Sequence, residues 1–157
     1  MALQNTFQEL EKQYATSVAR ETEGVDIPLY IRGVPVEDTP IIICARMGGS
    51  NRRYNALAEK SYRENKRGWE RNQIGGEEAE LLAFNMFMEA CALGWKNVKE
   101  EGAPIPYDRE KLRAFLSQEK MRDTRSQLLE DARDPQRFVE DYVDEASGEL
   151  TPTSISD

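Results

Sequence analysis

Residues 77–93 carry the pattern that most narrows what this chain can fold into. Leu81, Phe84, Met88, Cys91 and Trp95 recur at i, i+3/i+4 spacing, and Leu82, Ala83, Met86, Phe87 and Ala90 widen the stripe until little polar surface is left. A helix apolar nearly all round has to be covered on most sides, so the spacing predicts a central core helix. Gly94 is its expected stop, because glycine tolerates the backbone that ends helices. The nearly apolar part, 81–93, is too short to cross a bilayer and is interrupted by Asn85 and Glu89, which argues against a membrane partner.

The segments before this helix change period. Phe7, Leu10, Tyr14 and Val18 form a thin apolar stripe on a predicted amphipathic helix within residues 1–24. From Val25 the chain turns β-like: 27–31 and 41–45 are rich in β-branched and aromatic residues, with Gly33, Pro35, Asp38, Thr39 and Pro40 between them. A hairpin over 25–46 follows, with Pro28 marking the first strand as an edge. Gly48-Gly49-Ser50-Asn51 then breaks the chain ahead of a helix over about 50–67, capped by Ser50 or Asn51 and ended by Gly68. Tyr54, Leu57, Ala58 and Tyr62 share one face of it. Between 52 and 71 there are seven basic residues (52, 53, 60, 63, 66, 67, 71) against three acidic (59, 64, 70), a net of +4.

After the core helix, 95–107 reads as an irregular connector: 99–102 is a turn, and 103–106 is extended because residues before proline avoid the α region. Asp108 caps a helix over 108–117, and further helix is expected over 119–145, restarting at Asp134-Pro135. Residues 146–157 hold Gly148, Pro152 and several Ser and Thr, the composition of a disordered tail. From 130 onward, nine acidic residues (130, 131, 134, 140, 141, 144, 145, 149, 157) face two basic ones (133, 137), a net of −7. The basic face and the acidic end either attract one another, within a chain or between chains, or are solvated separately. The expected fold is therefore α+β and predominantly α-helical: an N-terminal β-hairpin, a small helical bundle and a flexible acidic C-terminal tail.

The residue inventory removes most chemistry. There is no histidine, so imidazole bases and histidine metal sites are excluded, and two distant cysteines make no zinc pattern. Cys44 and Cys91 each sit in an apolar run and are expected to be small buried hydrophobes in a reducing cytosol. Gly48-Gly49-Ser50 lacks the Gly-Lys-Ser/Thr ending of a phosphate loop. Every carboxylate lies at a helix start or on a polar face, where capping and the helix dipole explain it. No enzyme, cofactor or metal is expected. A net charge of −8 over 157 residues argues against nucleic acid as a partner. The first residues lack the basic and apolar regions of a signal peptide, so the chain is expected to stay in the compartment where it is made.

What remains is apolar surplus. One reading is core packing alone. The other leaves one edge of the 77–93 helix open to another protein's apolar helix, with Phe84, Phe87 and Met88 as contacts, since flexible side chains repack around varied partners. Arg52, Arg53 and Arg63 are the candidate partner contacts on the basic face.

In order, the hairpin, the 45–54 segment Ala-Arg-Met-Gly-Gly-Ser-Asn-Arg-Arg-Tyr, the long apolar helix ending in Leu93-Gly94-Trp95-Lys96-Asn97-Val98, the Glu-Glu-Gly turn, Pro104-Ile105-Pro106-Tyr107-Asp108 and the leucine-bearing 112–116 helix form a pattern. It resembles the tail assembly chaperones of long-tailed, non-contractile bacteriophages over about 25–140. The long N-terminal helix and the acidic 139–157 extension depart from that family's pattern. The resemblance implies a host-cytoplasmic factor that binds the tape-measure protein, keeps it soluble, promotes polymerisation of the major tail-tube protein around it, and is absent from the mature virion. Self-association is a further possible partner mode. A structural virion component, such as a tail-completion or head–tail joining protein, is the first alternative, and a small phage regulatory binding protein the second. Gly94, Trp95 and Tyr107 are expected to have structural roles, with the two aromatic rings locking the connector onto the core.

Overall fold

The computed structural model describes residues 5–140 in full and the backbone of 143–144 and 149–150. The β-branched runs expected to pair do so: β1 (Val25–Pro28) lies antiparallel to β2 (Ile41–Cys44), with Val25 opposite Cys44 and Ile27 opposite Ile42. Alternation turns Val25, Ile27, Ile42 and Cys44 into the core. Pro28 sits on the edge strand, where its missing N–H breaks no ladder.

The sheet has a third strand that the sequence reading leaves out. The core helix, α5 (Gly76–Ala90), ends at Ala90, and Ala92–Lys96 forms β3 on the other side of β2. Gly94 is therefore not a helix stop. It lies buried opposite Ile43, and a Cβ there would stand 3.4 Å from the Ile43 Cδ1. The supposed irregular connector also pairs: β4 (Lys99–Glu100) and β5 (Ala103–Pro104) flank Glu101 and Gly102, both at positive φ, as a tight two-residue hairpin turn requires.

The N-terminal helix is two helices, α1 (Thr6–Tyr14) and α2 (Val18–Glu23). Between them Thr16 bridges Val139, and Ser17 caps α2. The stripe of Phe7, Leu10, Tyr14 and Val18 is exposed, and α1 buries none of its residues. After the hairpin, α3 (Arg52–Glu64) is followed by α4 (Lys66–Glu70). Gly68 lies inside α4 rather than ending a helix; a Cβ there would come within 2.9 Å of Ile74, so glycine permits that approach. The remaining helices are α6 (Arg109–Ser117) and α7 (Arg122–Arg133). Asp134-Pro135 restarts a 3₁₀ turn, Pro135–Phe138, and Val139 is then extended, so helix does not run on to 145. Val143–Asp144 and Glu149–Leu150 are paired as β6 and β7. The rest of the expected disordered tail, at 146–157, lies outside the described residues.

The core joins the inner sheet face to α5, α6 and α7 through Phe84, Phe87, Met88, Leu112, Leu116, Leu128, Leu129 and Phe138. Asn51 fastens α3 to it. Its Oδ1 accepts from the Tyr54 N–H, and its Nδ2 donates to the carbonyls of Arg46 at 2.9 Å and Ala90 at 3.1 Å. Replacing Asn51 with Ala loses the cap and the amide bonds to both carbonyls, leaving Arg46 only the weak Cys91 thiol donor at 3.6 Å, for an expected loss of about 2–3 kcal/mol in urea unfolding. Asn51→Asp keeps the cap acceptor but turns a carboxylate on those carbonyls, and should cost at least as much. A fully stable Asp variant would show that the donors matter little.

Candidate functional site

The segment linking β1 to β2 is a turn-rich loop that leaves apolar side chains exposed beside the charged Arg32, Glu37 and Asp38: Tyr30, Ile31 and Val36 are all more than half exposed. Its backbone is nonetheless tied down. Leu29 N–H donates to the Pro40 carbonyl at 2.8 Å, Val34 N–H to Ile31 at 3.1 Å, and Asn97 Nδ2 holds the Glu37 and Thr39 carbonyls at 3.1 and 2.9 Å. This loop forms one wall of a groove of about 1230 Å³. The floor includes Ile42 and Trp95 of the sheet, and the far wall is Leu112 and Phe115 of α6, Met121, and Leu128 of α7. Lining surface is mostly apolar, so water in the groove is poorly satisfied and an apolar segment entering it would be favoured.

Trp95 is fixed in place from beneath. Its indole N–H donates to the Ile105 carbonyl at 3.0 Å, and its ring meets Tyr107 edge-on at 5.1 Å and 83°. Tyr107 in turn donates to the Ala92 carbonyl at 3.3 Å. Charged side chains line it as well, among them Asp38, Lys99 and Asp123; Lys111 pairs with Glu100 at 3.0 Å, and Asp131 with Arg137 at 3.0 Å. Burial raises the Tyr107 hydroxyl above its ordinary pKa, outweighing the nearby Arg109, so it remains a neutral donor throughout the physiological range.

The partner contacts expected from sequence lie elsewhere. Phe84, Phe87 and Met88 are 3%, 0% and 0% exposed, so the open edge expected at these residues is corrected. Their side chains point under the sheet and against α6 and α7, where a surface partner does not reach them. Arg52, Arg53 and Arg63 are exposed on α3, with Arg53 3.5 Å from Glu89 and Arg63 2.8 Å from Glu59. None of the three lines the groove. Tyr30, Ile31, Val34 and Phe115 are the groove residues that sequence reasoning missed. Their one local signal is an apolar run, 29–31, continued through Val34 and Val36 in a segment otherwise full of turn residues.

The two cysteines are both fully buried and free. Burial pushes the Cys91 thiol up to about 12 and the Cys44 thiol well above its ordinary value, so neither is a thiolate nucleophile at neutral pH. The Gly48-Gly49-Ser50 turn already holds an anion, the chain's own Glu21: Ser50 N–H donates to Glu21 Oε1 at 3.2 Å, and the Arg46 guanidinium pairs with Oε2. Among the described residues no helix is long and apolar enough to cross a membrane, and no three acidic or cysteine side chains converge as metal ligands do.

A protein-family model described as the YdaY prophage protein matches residues 49–149, well over half of the chain. The chain belongs to the YdaY prophage protein family. It is a phage-derived protein. The YdaY match begins at the turn before α3 and takes in α3 to α7, β3 to β5 and the acidic stretch to Glu149, whereas β1, β2 and the groove loop precede it. No curated protein and no solved structure matches the chain.

Proposed function

We propose that this YdaY-family chain is a non-enzymatic tail assembly chaperone, acting in the host cytoplasm, that holds apolar helical segments of a tape-measure protein in the β1–β2 groove. The observation that carries the reading is the groove itself: open, mostly apolar, about 1230 Å³, and walled by a loop that leaves Tyr30 and Ile31 more than half exposed. A helix laid in such a groove is read through side chains at i, i+3/i+4 and i+7, the spacing a long amphipathic tape-measure helix would offer. Phage origin and the resemblance of the 45–54 and 93–108 segments to tail assembly chaperones support the same reading. An acidic chain covering those stripes would add charge repulsion to the complex and keep it dispersed. Binding through one groove is modest per copy, so tail-tube subunits could displace it, and no cofactor is needed for that exchange.

Co-expression with a candidate tape-measure protein from the same phage tests the proposal. Wild-type chain should bring the tape measure into the soluble fraction as a complex. The double replacement Ile31→Asp with Phe115→Asp, at positions 52% and 45% exposed, should abolish that rescue while changing stability by less than about 1 kcal/mol. An insoluble tape measure with wild-type chain present, or rescue unaffected by the double variant, would overturn the reading. So would stoichiometric presence in purified virions, which belongs to a structural virion component.

A further inference from the structure

The helix α1 is formed but bare. Asn5 caps its start, its Oδ1 accepting from the Gln8 N–H at 3.2 Å, and Lys12 pairs with Glu9 at 3.4 Å. No residue of α1 is buried, and Phe7 is 78% exposed, with Leu10 and Tyr14 exposed beside it at i+3 and i+7. A helix this short does not persist in water on a cap and one surface ion pair, so its apolar stripe needs a cover. Its root is fixed. Thr16 bridges Val139, the Ser17 N–H donates to the Phe138 carbonyl at 2.8 Å, and the Glu140 N–H donates to the Ala15 carbonyl at 3.3 Å. From that root α1 stands clear of the core, and none of its residues lines the groove of its own chain.

The groove carries the matching deficit. Tyr30, Ile31 and Phe115 line it and are exposed. An amphipathic helix docks in such a groove through side chains at i, i+3 and i+7, the spacing of Phe7, Leu10 and Tyr14. Side chains of this size leave about 100–150 Å² apiece open at these exposures, so one α1 in one groove would bury on the order of 800 Å². A single contact of that area falls short of a stable interface, whereas a reciprocal pair doubles it to about 1,600 Å², the size such interfaces have. Exchange in one direction alone would leave a bare helix at one end and an open groove at the other. Exchange in both directions covers every copy's helix and groove and closes the assembly at two chains.

We infer that two copies of this chain pair reciprocally, each laying the Phe7, Leu10 and Tyr14 stripe of its α1 in the groove of the other. The groove is then filled in the free protein, and a client helix enters it by displacing α1. This pairing needs the groove but no tape-measure protein, so it can fail while the chaperone reading holds, and the reverse.

The test uses the full chain without a client. Sedimentation at about 50 µM, above the weakest affinity expected of an interface of this size, should give twice the mass of one chain. Phe7→Glu with Leu10→Glu should return it to the mass of one chain with the urea midpoint unchanged, because neither residue is buried. Ile31→Asp with Phe115→Asp should do the same from the groove side. Gln13→Cys then supplies an exposed thiol on α1 for a nitroxide, the native cysteines being buried. With nitroxide chains lacking isotope in excess over isotope-labelled wild-type chains, amide signals of 29–31 and 112–116 in the labelled chains should lose most of their intensity. One chain's mass for the wild type, or a dimer that survives either double variant, overturns the inference. So does broadening confined to chains that carry both labels, which would put α1 in its own groove.

Discussion

A Phe87→Asp chain is expected not to fold. Phe87 is fully buried in the last turn of α5, within the core shared with the sheet, α6 and α7. Removing a core phenylalanine costs about 3–5 kcal/mol through lost burial and the cavity left behind. A carboxylate in the same place adds a desolvation cost of several kcal/mol more. A domain of this size has about 5–15 kcal/mol in total. Thermal unfolding followed by circular dichroism should therefore show no cooperative transition, with the chain in the insoluble fraction. Leu81→Asp, on the same helix but 48% exposed, should unfold cooperatively close to wild type. If Phe87→Asp melts within a few degrees of wild type, the core assignment is wrong. The comparison also decides how partner binding can be tested: a charge at Phe87 or Met88 reports on folding, and a charge at Ile31 or Phe115 reports on the groove.

The features that were legible in the sequence are those written in a few consecutive residues. The hairpin shows in its β-branched runs, the α3 start in Asn51, the 99–102 turn in Glu-Glu-Gly, and the core helix in its all-round apolar pattern. The third strand is not local in this sense. Ala92-Leu93-Gly94-Trp95-Lys96 continues an apolar helical run without a break. It is a strand because Ile41–Cys44 leaves one edge open for pairing nearly fifty residues earlier in the chain. Pairing with β2 ends α5 at Ala90, and Gly94 sits within β3 opposite Ile43 rather than at a helix end.

The groove was hidden for a related reason. Its walls come from 29–35 and from 112–128, segments that become neighbours only when α6 and α7 close over the sheet. Sequence reasoning placed the apolar surplus on the most apolar helix, but a helix apolar on all sides is the one a fold covers first. The smaller surplus, Tyr30, Ile31 and Val34 in a turn-rich loop, is the one that lines the open groove. Gly48-Gly49-Ser50 shows the same limit. Its resemblance to an anion-binding loop was superficial as a motif, yet the turn does hold a carboxylate, from a helix that precedes it by more than twenty residues.

That carboxylate leads to the second large effect, an acid-sensitive joint between α2 and the start of α3. The Glu21 side chain is 3% exposed and that of Arg46 21%, and the Arg46 N–H also donates to the Glu21 carbonyl at 2.9 Å. Gly49, at φ +54°, makes room: a Cβ there would fall 2.4 Å from Glu21 Oε2. Burial pushes the Glu21 pKa up, but hydrogen bonds from Arg46 and Ser50, with the Arg46 charge, outweigh it and hold the carboxyl below its ordinary value. A folded pKa below the unfolded one means the unfolded chain binds its proton first as pH falls. The stabilisation is then complete above the ordinary carboxyl range, about pH 4.5, and is lost as pH drops through the lower folded value. Glu21→Gln removes the charge at every pH and leaves Arg46 partly buried without its partner, an expected loss on the order of 3 kcal/mol at pH 7. Urea midpoints measured from pH 7 down to about pH 3 should converge for the two chains as the wild-type carboxylate protonates. Parallel pH profiles, or equal midpoints at pH 7, would show that Glu21 contributes nothing that its amide does not.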